Sequence, residues 1–212
     1  MEQYLDFKSK IDNEKLKEAA QAIKDGKIAV FPTETVYGIG ADCLNEEAIK
    51  KLYKAKRRPL TQKISILVGS IQMLEEVTKN ITNAERALIN KFFPGPLTLI
   101  LHKKDIIPYI LTNNEEVVGF RMPTNEIALE LINSLGNPIA TSSANKAGEP
   151  SGVKIENIME TFKNEVDVYI DGGKSKIGIG STIVQIIDEK PIIIREGIIT
   201  KKEIEKVIND EV

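Results

Sequence analysis

Short apolar runs and amphipathic segments alternate along the whole chain. The apolar runs are typical of buried strands, and the amphipathic segments repeat their apolar positions at helical spacing. Strands are predicted at 27–31, 63–68, 97–101, 116–122, 138–141, 166–171, 181–188 and 191–196. Helices are predicted at 14–25, 46–56, 84–93, 126–136 and 200–210, with a short helix after Ser70. Because no repeat period or Pro-, Gly- or Ser-rich linker divides this pattern, we predict one α/β domain over residues 1–212.

Several predicted strands follow one another without a helix between them. The last two, 181–188 and 191–196, are separated only by a turn at Asp188-Glu189-Lys190. Parallel neighbours need a long crossover connection, whereas antiparallel neighbours need only a short turn. The sheet is therefore predicted to be mixed, with parallel and antiparallel pairs.

Local signals mark where the helices begin and end. Side chains that accept a hydrogen bond from the first turn are favoured just before a helix, and glycine and proline are favoured after it. The stop signals are Gly26 and the run Pro94-Gly95-Pro96. The predicted capping residues are Asn45, Ser70, Thr82 or Asn83, Asn125 and Thr200.

Composition excludes several kinds of site. Cys43 is the only cysteine, so no disulfide can form within the chain, and a reducing compartment, the cytoplasm, is expected. The chain opens with no secretory signal, and it has no run of about 18 apolar residues that would span a membrane. The single histidine, His102, is predicted to be satisfied or to face solvent, because a catalytic imidazole needs an orienting partner. One histidine and one cysteine make a zinc site improbable, and no metal ligands are predicted.

Polar residues gather directly after two predicted strands. Residues 32–37 carry three hydroxyl side chains around Glu34, and residues 141–145 carry three more hydroxyls and an amide. Ligands of α/β proteins collect where strands end, because backbone N–H groups and side chains converge there. Both segments are therefore predicted to hold something polar. For 141–145, a helix cap or an Asx turn stays open as the alternative.

Basic residues concentrate between 50 and 63, with no acid among them. For Lys50, Lys51 and Lys54, a solvated helix face is an equal alternative to a binding role. Arg57 and Arg58 differ, because Pro59 forces the chain out of the helix and both guanidinium groups project from a helix end. Arg121 and Arg195 each interrupt or end an apolar strand, where a charge is costly unless it is paired. Each arginine predicts either a structural salt bridge or a ligand with paired oxygens, such as a carboxylate or phosphate.

No known nucleotide-binding loop accounts for these arginines. The segment 178–186 has neither the P-loop spacing nor the G-x-G-x-x-G spacing. A nucleotide that binds to this chain must therefore be held by a site other than a P-loop or a G-x-G-x-x-G loop.

Seven segments, in one order between residues 31 and 197, resemble the YrdC/TsaC-type threonylcarbamoyl-AMP synthases. They are PTETVYGIGAD, AKRRP, FFPGPLTLIL, VGFRMP, PIATSSANKAGEPSG, DGGKSKIGIGSTIV and IIREG. The resemblance implies a YrdC-like twisted mixed sheet, flanked by helices, with a positively charged concave face. It also implies synthesis of L-threonylcarbamoyladenylate and pyrophosphate from L-threonine, bicarbonate or CO2, and ATP. A separate transferase complex would then move the threonylcarbamoyl group to tRNA adenosine.

The resemblance also implies roles for individual residues. The L-threonine site would consist of Thr33, Arg121, Thr141 and Ser181. The ATP site would consist of Lys56, Arg58, Gln62, Val117 (through its backbone), Ser143, Asn145, Ser151 and Arg195. Lys56 and Arg58 would act in catalysis as positive charges near the phosphates, with Mg²⁺ bridging phosphate oxygens. These roles require one cavity that contains Arg58, Arg121 and Arg195.

Three positions depart from the family's usual pattern. Gln62 stands where the family often has asparagine, Leu67 where it has histidine, and Gly180 where it has glutamate. Two alternatives therefore stay open: a YrdC-like paralogue that binds double-stranded RNA or tRNA without synthase activity, and a relative that adenylates another small substrate. Because the chain stops at Val212, the short form of the family, with no added C-terminal domain, is expected.

Overall fold

The computed structural model describes residues 2–149, 152, 154–175 and 177–211. Within these residues, ten strands form one sheet. The strands are β1 (Gln3–Asp6), β2 (Ala29–Phe31), β3 (Gly38–Asp42), β4 (Ser65–Leu67), β5 (Leu97–His102), β6 (Val117–Arg121), β7 (Ile139–Ser143), β8 (Val168–Asp171), β9 (Thr182–Ile187) and β10 (Lys190–Arg195). Their order across the sheet is β1-β8-β2-β3-β7-β4-β6-β5-β9-β10. The prediction of a mixed sheet is confirmed, since β4 pairs with β6 in parallel and with β7 antiparallel.

Seven α-helices pack with the sheet in the described part of the chain. They are α1 (Asn13–Lys24), α2 (Glu46–Ala55), α3 (Ile71–Val77), α4 (Asn83–Phe92), α5 (Glu126–Leu135), α6 (Ile155–Thr161) and α7 (Lys201–Glu211). None of these helices combines the length and the apolar character needed to cross a membrane. The predicted capping is confirmed, because the following side chains accept backbone N–H groups of the first turn: Asn45, Ser70, Thr82, Asn125 and Thr200.

Four elements lie outside the predicted strands and helices: β1, β3, α6 and a 3-10 helix at Tyr109–Leu111. The strand β3 has the sequence GIGAD, which reads as the glycine-rich end of a polar loop. Its glycines are required by close packing against β7: a Cβ on Gly40 would lie 2.6 Å from Cγ2 of Ile139 and 2.8 Å from Oγ1 of Thr141. Glycine inside a strand thus marks a close approach here, which local propensity does not reveal.

The pairing register divides the central strands into two chemically different faces. Phe120, Leu99 and Val184 lie on one face and are fully buried. Residues paired across neighbouring strands share a face, and successive residues alternate. The other face therefore carries a row of five residues from five strands: Leu67, Arg121, Thr98, Ile183 and Arg195.

Candidate functional site

A cavity of about 380 Å³ lies over the face that carries this row. Its floor consists of small and apolar side chains from alternate strand positions, namely Gly38, Ser65, Leu67, Thr98, Thr141 and Ile183. The loop after β2, the segment between α2 and β4, and the segment before β9 add its walls. The prediction placed the ligand at strand ends, and the structure adds the sheet face itself as the floor.

Three arginines from distant parts of the sequence line this one cavity: Arg58, Arg121 and Arg195. Burial lowers the pKa of Arg58 and of Arg195, and the charge of Arg121 lowers that of Arg195 further. An arginine nevertheless keeps its proton in proteins. Their combined positive field favours an anionic ligand. The roles implied by the resemblance require one cavity with all three arginines, and the structure contains such a cavity.

The C-terminal end of α2 positions the side chain of Arg58. Arg57 adopts a left-handed φ of 51°, and the N–H of Arg58 donates to the carbonyl of Tyr53 at 3.0 Å, as in a Schellman motif. The guanidinium then donates to the carbonyls of Gln62 at 3.2 Å and Lys63 at 2.6 Å. Arg58 is therefore held by backbone groups on one side and faces the cavity on the other.

Arg195 and Ser181 form a second fixed corner. The guanidinium of Arg195 donates to the Ser181 carbonyl through Nε at 3.1 Å and Nη2 at 2.7 Å. The hydroxyl of Ser181 lies 2.7 Å from that of Thr98. The predicted site does not include Thr98, although it is the one polar residue in the apolar run LTLIL, and that is the signal that identifies it.

The hydroxyl row, residues 32–37 after β2, forms part of the cavity wall. Thr33 and Thr35 both line it, with their oxygen atoms 2.9 Å apart, and Thr33 Oγ1 donates to the carbonyl of Val36 at 2.6 Å. Across the floor, Thr141 and Ser143 add hydroxyls from the end of β7. The structure therefore brings together all four residues of the implied threonine site.

Lys56 is placed differently from the role that the resemblance implies. It is 1% exposed and is absent from the described cavity lining. Its Nζ donates to the backbone carbonyls of Ser143 at 2.5 Å and Asn145 at 2.7 Å. Lys56 thus ties the end of α2 to the segment after β7, and its implied role near the phosphates stays a prediction.

Of the other residues implied for the ATP site, some line the cavity and others do not. Ser143 lines the cavity, whereas Gln62, Val117 and Asn145 are absent from its described lining. Gln62 is exposed, and Val117 is the half-buried first residue of β6. The amide of Asn145 donates to loop carbonyls and thereby shapes the segment after β7. Ser151 lies outside the described residues.

His102 is exposed at the end of β5 and does not line the cavity, as predicted. No other histidine exists in the chain. The described cavity lining therefore offers cationic groups, hydroxyls and the carboxylate of Glu196.

Comparison with known proteins assigns the chain to a family. The Sua5/YciO/YrdC family model, which carries the description "Telomere recombination", matches residues 21–197. The chain belongs to the Sua5/YciO/YrdC family. The resemblance noted in the sequence and the predicted fold class are thereby confirmed.

Relatives within the Sua5/YciO/YrdC family include two threonylcarbamoyl-AMP synthases. The one from Pyrococcus abyssi is 39% identical over 206 residues, which cover 97% of this chain and 61% of the relative. The one from Bacillus subtilis is 40% identical over 192 residues, which cover 90% of this chain and 56% of the relative. The chain thus spans less than two thirds of the length of both relatives.

Comparison with solved structures agrees with the family assignment. The structure of P. abyssi Sua5 complexed with L-threonine matches with a TM-score of 0.94 at 39% identity and covers 98% of this chain and 61% of that one. The structure of E. coli YciO matches with a TM-score of 0.86 at 23% identity, which supports the fold alone. It covers 96% of this chain and 100% of that one.

Leu67 and Gly180, the two main departures noted in the sequence, both line the cavity. Leu67 adds an apolar surface to the floor, and Gly180 lies beside Arg195. A Cβ on Gly180 would lie 2.9 Å from Nη2 of Arg195. Glycine at this position therefore leaves room for the guanidinium to bind the Ser181 carbonyl.

Lys56 should give stability a distinctive pH dependence. Burial, followed by the charges of Arg58 and Lys146, lowers its pKa from 10.5 to about 7. Between these values the unfolded chain binds the proton and the folded chain does not, so the free energy of unfolding should rise with pH over this range. One proton contributes up to about 1.4 kcal/mol per pH unit.

We expect Lys56→Met to lose this contribution. Urea unfolding of both proteins between about pH 6.5 and pH 9.5 measures the difference in slope. Parallel pH dependences for the two proteins would contradict the prediction.

Proposed function

We propose that the chain synthesises L-threonylcarbamoyladenylate and pyrophosphate from L-threonine, bicarbonate or CO2, and ATP. The observation that carries this proposal is the single cavity in which Arg58, Arg121 and Arg195 lie beside a set of hydroxyl groups. The relative from P. abyssi, whose structure is described as complexed with L-threonine, supports it at 39% identity. The product would supply a separate transferase complex that modifies tRNA.

The amino acid is proposed to bind at the Arg121 side of the cavity. Arg121 can pair with the carboxylate, because a guanidinium presents two parallel N–H donors to two oxygens. Thr33, Thr141 and Ser181 surround it with hydroxyls that both donate and accept. The substrate amine would then remain free to react.

The reaction needs positioning and charge more than a protein nucleophile. The neutral threonine amine attacks the carbon of CO2, and the adduct loses a proton to water to give a carbamate. A carbamate oxygen attacks the α-phosphorus of ATP, the bond to the β-phosphate oxygen breaks, and pyrophosphate leaves. Arg58 and Arg195 are fixed by backbone carbonyls before the substrate arrives, so they can stabilise the developing negative charge without reorganisation.

Mg²⁺ is proposed to accompany ATP. Within the described ranges, no cluster of three His, Cys, Asp or Glu residues is placed to hold a metal, and Glu196 is the only carboxylate in the described lining. This donor set fits Mg²⁺ held mainly by phosphate oxygens and water, with Glu196 as a protein ligand. When bound, the ion neutralises phosphate charge.

The alternative of an RNA-binding paralogue receives less support. Its sequence signal was the basic segment 50–63. In the structure, Lys50 pairs with Glu47 and Lys63 pairs with Glu115. Since Lys56 is also buried, three of the seven basic residues in this segment are engaged within the protein.

The proposal is tested by pyrophosphate release from ATP, Mg²⁺ and bicarbonate, with and without L-threonine. We expect release to depend on L-threonine, and Arg58→Gln to lower kcat/KM for ATP by about 10- to 100-fold because a charge-assisted contact is lost. Arg57→Gln is the matched control, since Arg57 is exposed and absent from the described lining.

Two results would count against the proposal. Release that ignores L-threonine would remove the substrate assignment. Equal losses in the Arg57 and Arg58 variants would remove the role of Arg58.

A further inference from the structure

Arg121 is held from behind by protein acceptors. Its side chain is 9% exposed. Its Nε donates to the carbonyl of Gly95 at 3.2 Å, and its Nη2 donates to Oε1 of Glu34 at 2.5 Å. Nη1 donates to no acceptor among the described residues, so one side of the guanidinium stays open to the cavity that Arg121 lines.

Glu34 is the centre of this arrangement. Its other oxygen, Oε2, accepts the backbone N–H of Thr124 at 3.2 Å, just beyond the end of β6. Its backbone carbonyl accepts the N–H of Ile177 at 3.1 Å, and the carbonyl of Thr35 accepts that of Gly178 at 2.7 Å. Glu34 thus joins the hydroxyl row to the strand end that carries Arg121 and to the segment before β9.

The carboxylate lies on the far side of Arg121 from the cavity. Glu34 is absent from the described cavity lining, whereas both of its neighbours in the sequence, Thr33 and Thr35, belong to it. Instead, Glu34 lines a second cavity behind the hydroxyl row, together with Glu126. It therefore acts as a counterion to Arg121 without competing for the open side.

Only a carboxylate can accept hydrogen bonds from both donors that contact the side chain of Glu34. Arg121 and the Thr124 N–H are both donors, and an ionised carboxylate accepts with each oxygen. A glutamine has one acceptor oxygen, so its NH2 group would face one of the two donors. The position therefore needs the charge and the second oxygen, and not only the shape of the side chain.

We propose that Glu34 is a positioning residue that fixes the open side of Arg121 toward the carboxylate of the amino-acid substrate. The proposal rests on the proposed function for the identity of that carboxylate. It makes recognition of the substrate carboxylate depend on a residue that the substrate does not touch.

The experiment compares wild type, Glu34→Gln and Glu126→Gln. Glu126 is the matched control, because it is exposed and lines the same second cavity without contacting Arg121. We expect Glu34→Gln to raise KM for L-threonine by about 10-fold or more, with KM for ATP changed less than about 2-fold, since one charge-assisted hydrogen bond is lost. Glu126→Gln should change neither KM. Equal increases in both KM values for Glu34→Gln would indicate a general structural role and overturn the proposal, and so would no change in either.

A second measurement does not depend on the substrate. In the ¹⁵N NMR spectrum of arginine side chains, the Nη2–H of Arg121 that Glu34 accepts should exchange slowly with solvent in wild type and at least about 10-fold faster in Glu34→Gln. Unchanged exchange would overturn the positioning role even if the protein turned out to use another substrate. A different result would count against the proposed function alone: pyrophosphate release by wild type that does not depend on L-threonine, together with faster exchange of the Arg121 side-chain N–H in Glu34→Gln.

Discussion

Arg121→Met is expected to lower the free energy of unfolding by about 3–5 kcal/mol, because it leaves the carboxylate of Glu34 buried without its cation. Glu34 is 9% exposed and would keep only the weaker bond from the Thr124 N–H. The same change removes the cation at this end of the cavity, so L-threonine-dependent pyrophosphate release should fall by about 100-fold or more. Urea unfolding and the release assay measure the two effects separately.

The double variant Arg121→Met/Glu34→Gln separates stability from binding. Glutamine can still accept the Thr124 N–H and has no charge to bury, so most of the lost stability should return. Activity should not return, because the cavity still lacks its cation. A double variant as unstable as Arg121→Met would show that the loss comes from packing of the arginine stem and not from an unpaired carboxylate.

Gly197→Ala is expected to cost roughly 1–3 kcal/mol of stability through overpacking. A Cβ at this position would lie 2.4 Å from the carbonyl oxygen of Gly180, 2.7 Å from the carbonyl carbon of Ser181 and 2.7 Å from the nitrogen of Thr182. All three are backbone atoms, so no flexible side chain can move aside. The segment that must shift also binds Arg195, and KM for ATP should therefore rise.

Gly136→Ala is the control for this prediction. Gly136 ends α5 with a φ of 74°, and a Cβ there would meet nothing within 4 Å. Its cost comes from the left-handed backbone alone and amounts to about 1–2 kcal/mol. Thermal unfolding should therefore show losses of similar size, and only Gly197→Ala should change KM. If both variants change KM equally, the effect follows from stability and not from the cavity.

Local signals in the sequence predicted the helices well and one central strand poorly. Asn45, Ser70 and Asn125 each satisfy a backbone N–H within three residues, so the information lies in the neighbouring sequence. The strand β3 contains Gly38 and Gly40 because β7 approaches closely, and that contact joins residues about a hundred positions apart. No local pattern carries such a requirement.

The chemistry of the site was present in the sequence, and its geometry was not. Arg58, Arg121 and Arg195 were identifiable because each breaks an apolar or helical pattern, but both readings, a salt bridge and a ligand, were open. The structure shows that Arg121 pairs with Glu34 and also lines the cavity, so the salt bridge does not exclude the ligand role. Sequence spacing also could not show that the Lys56 ammonium is held by two carbonyls.

The sequence by itself determined the α/β class, the mixed sheet, the positions of every described α-helix except α6, and the residue types that line the cavity, because these follow from periodicity, capping and side-chain chemistry. Tertiary structure alone decided that the ligand cavity lies on the sheet face. Strand register places Leu67, Arg121, Thr98, Ile183 and Arg195 in one row, and register is fixed by pairing between segments far apart in the chain. A shift of one residue in any of these strands would turn its contribution to the opposite face.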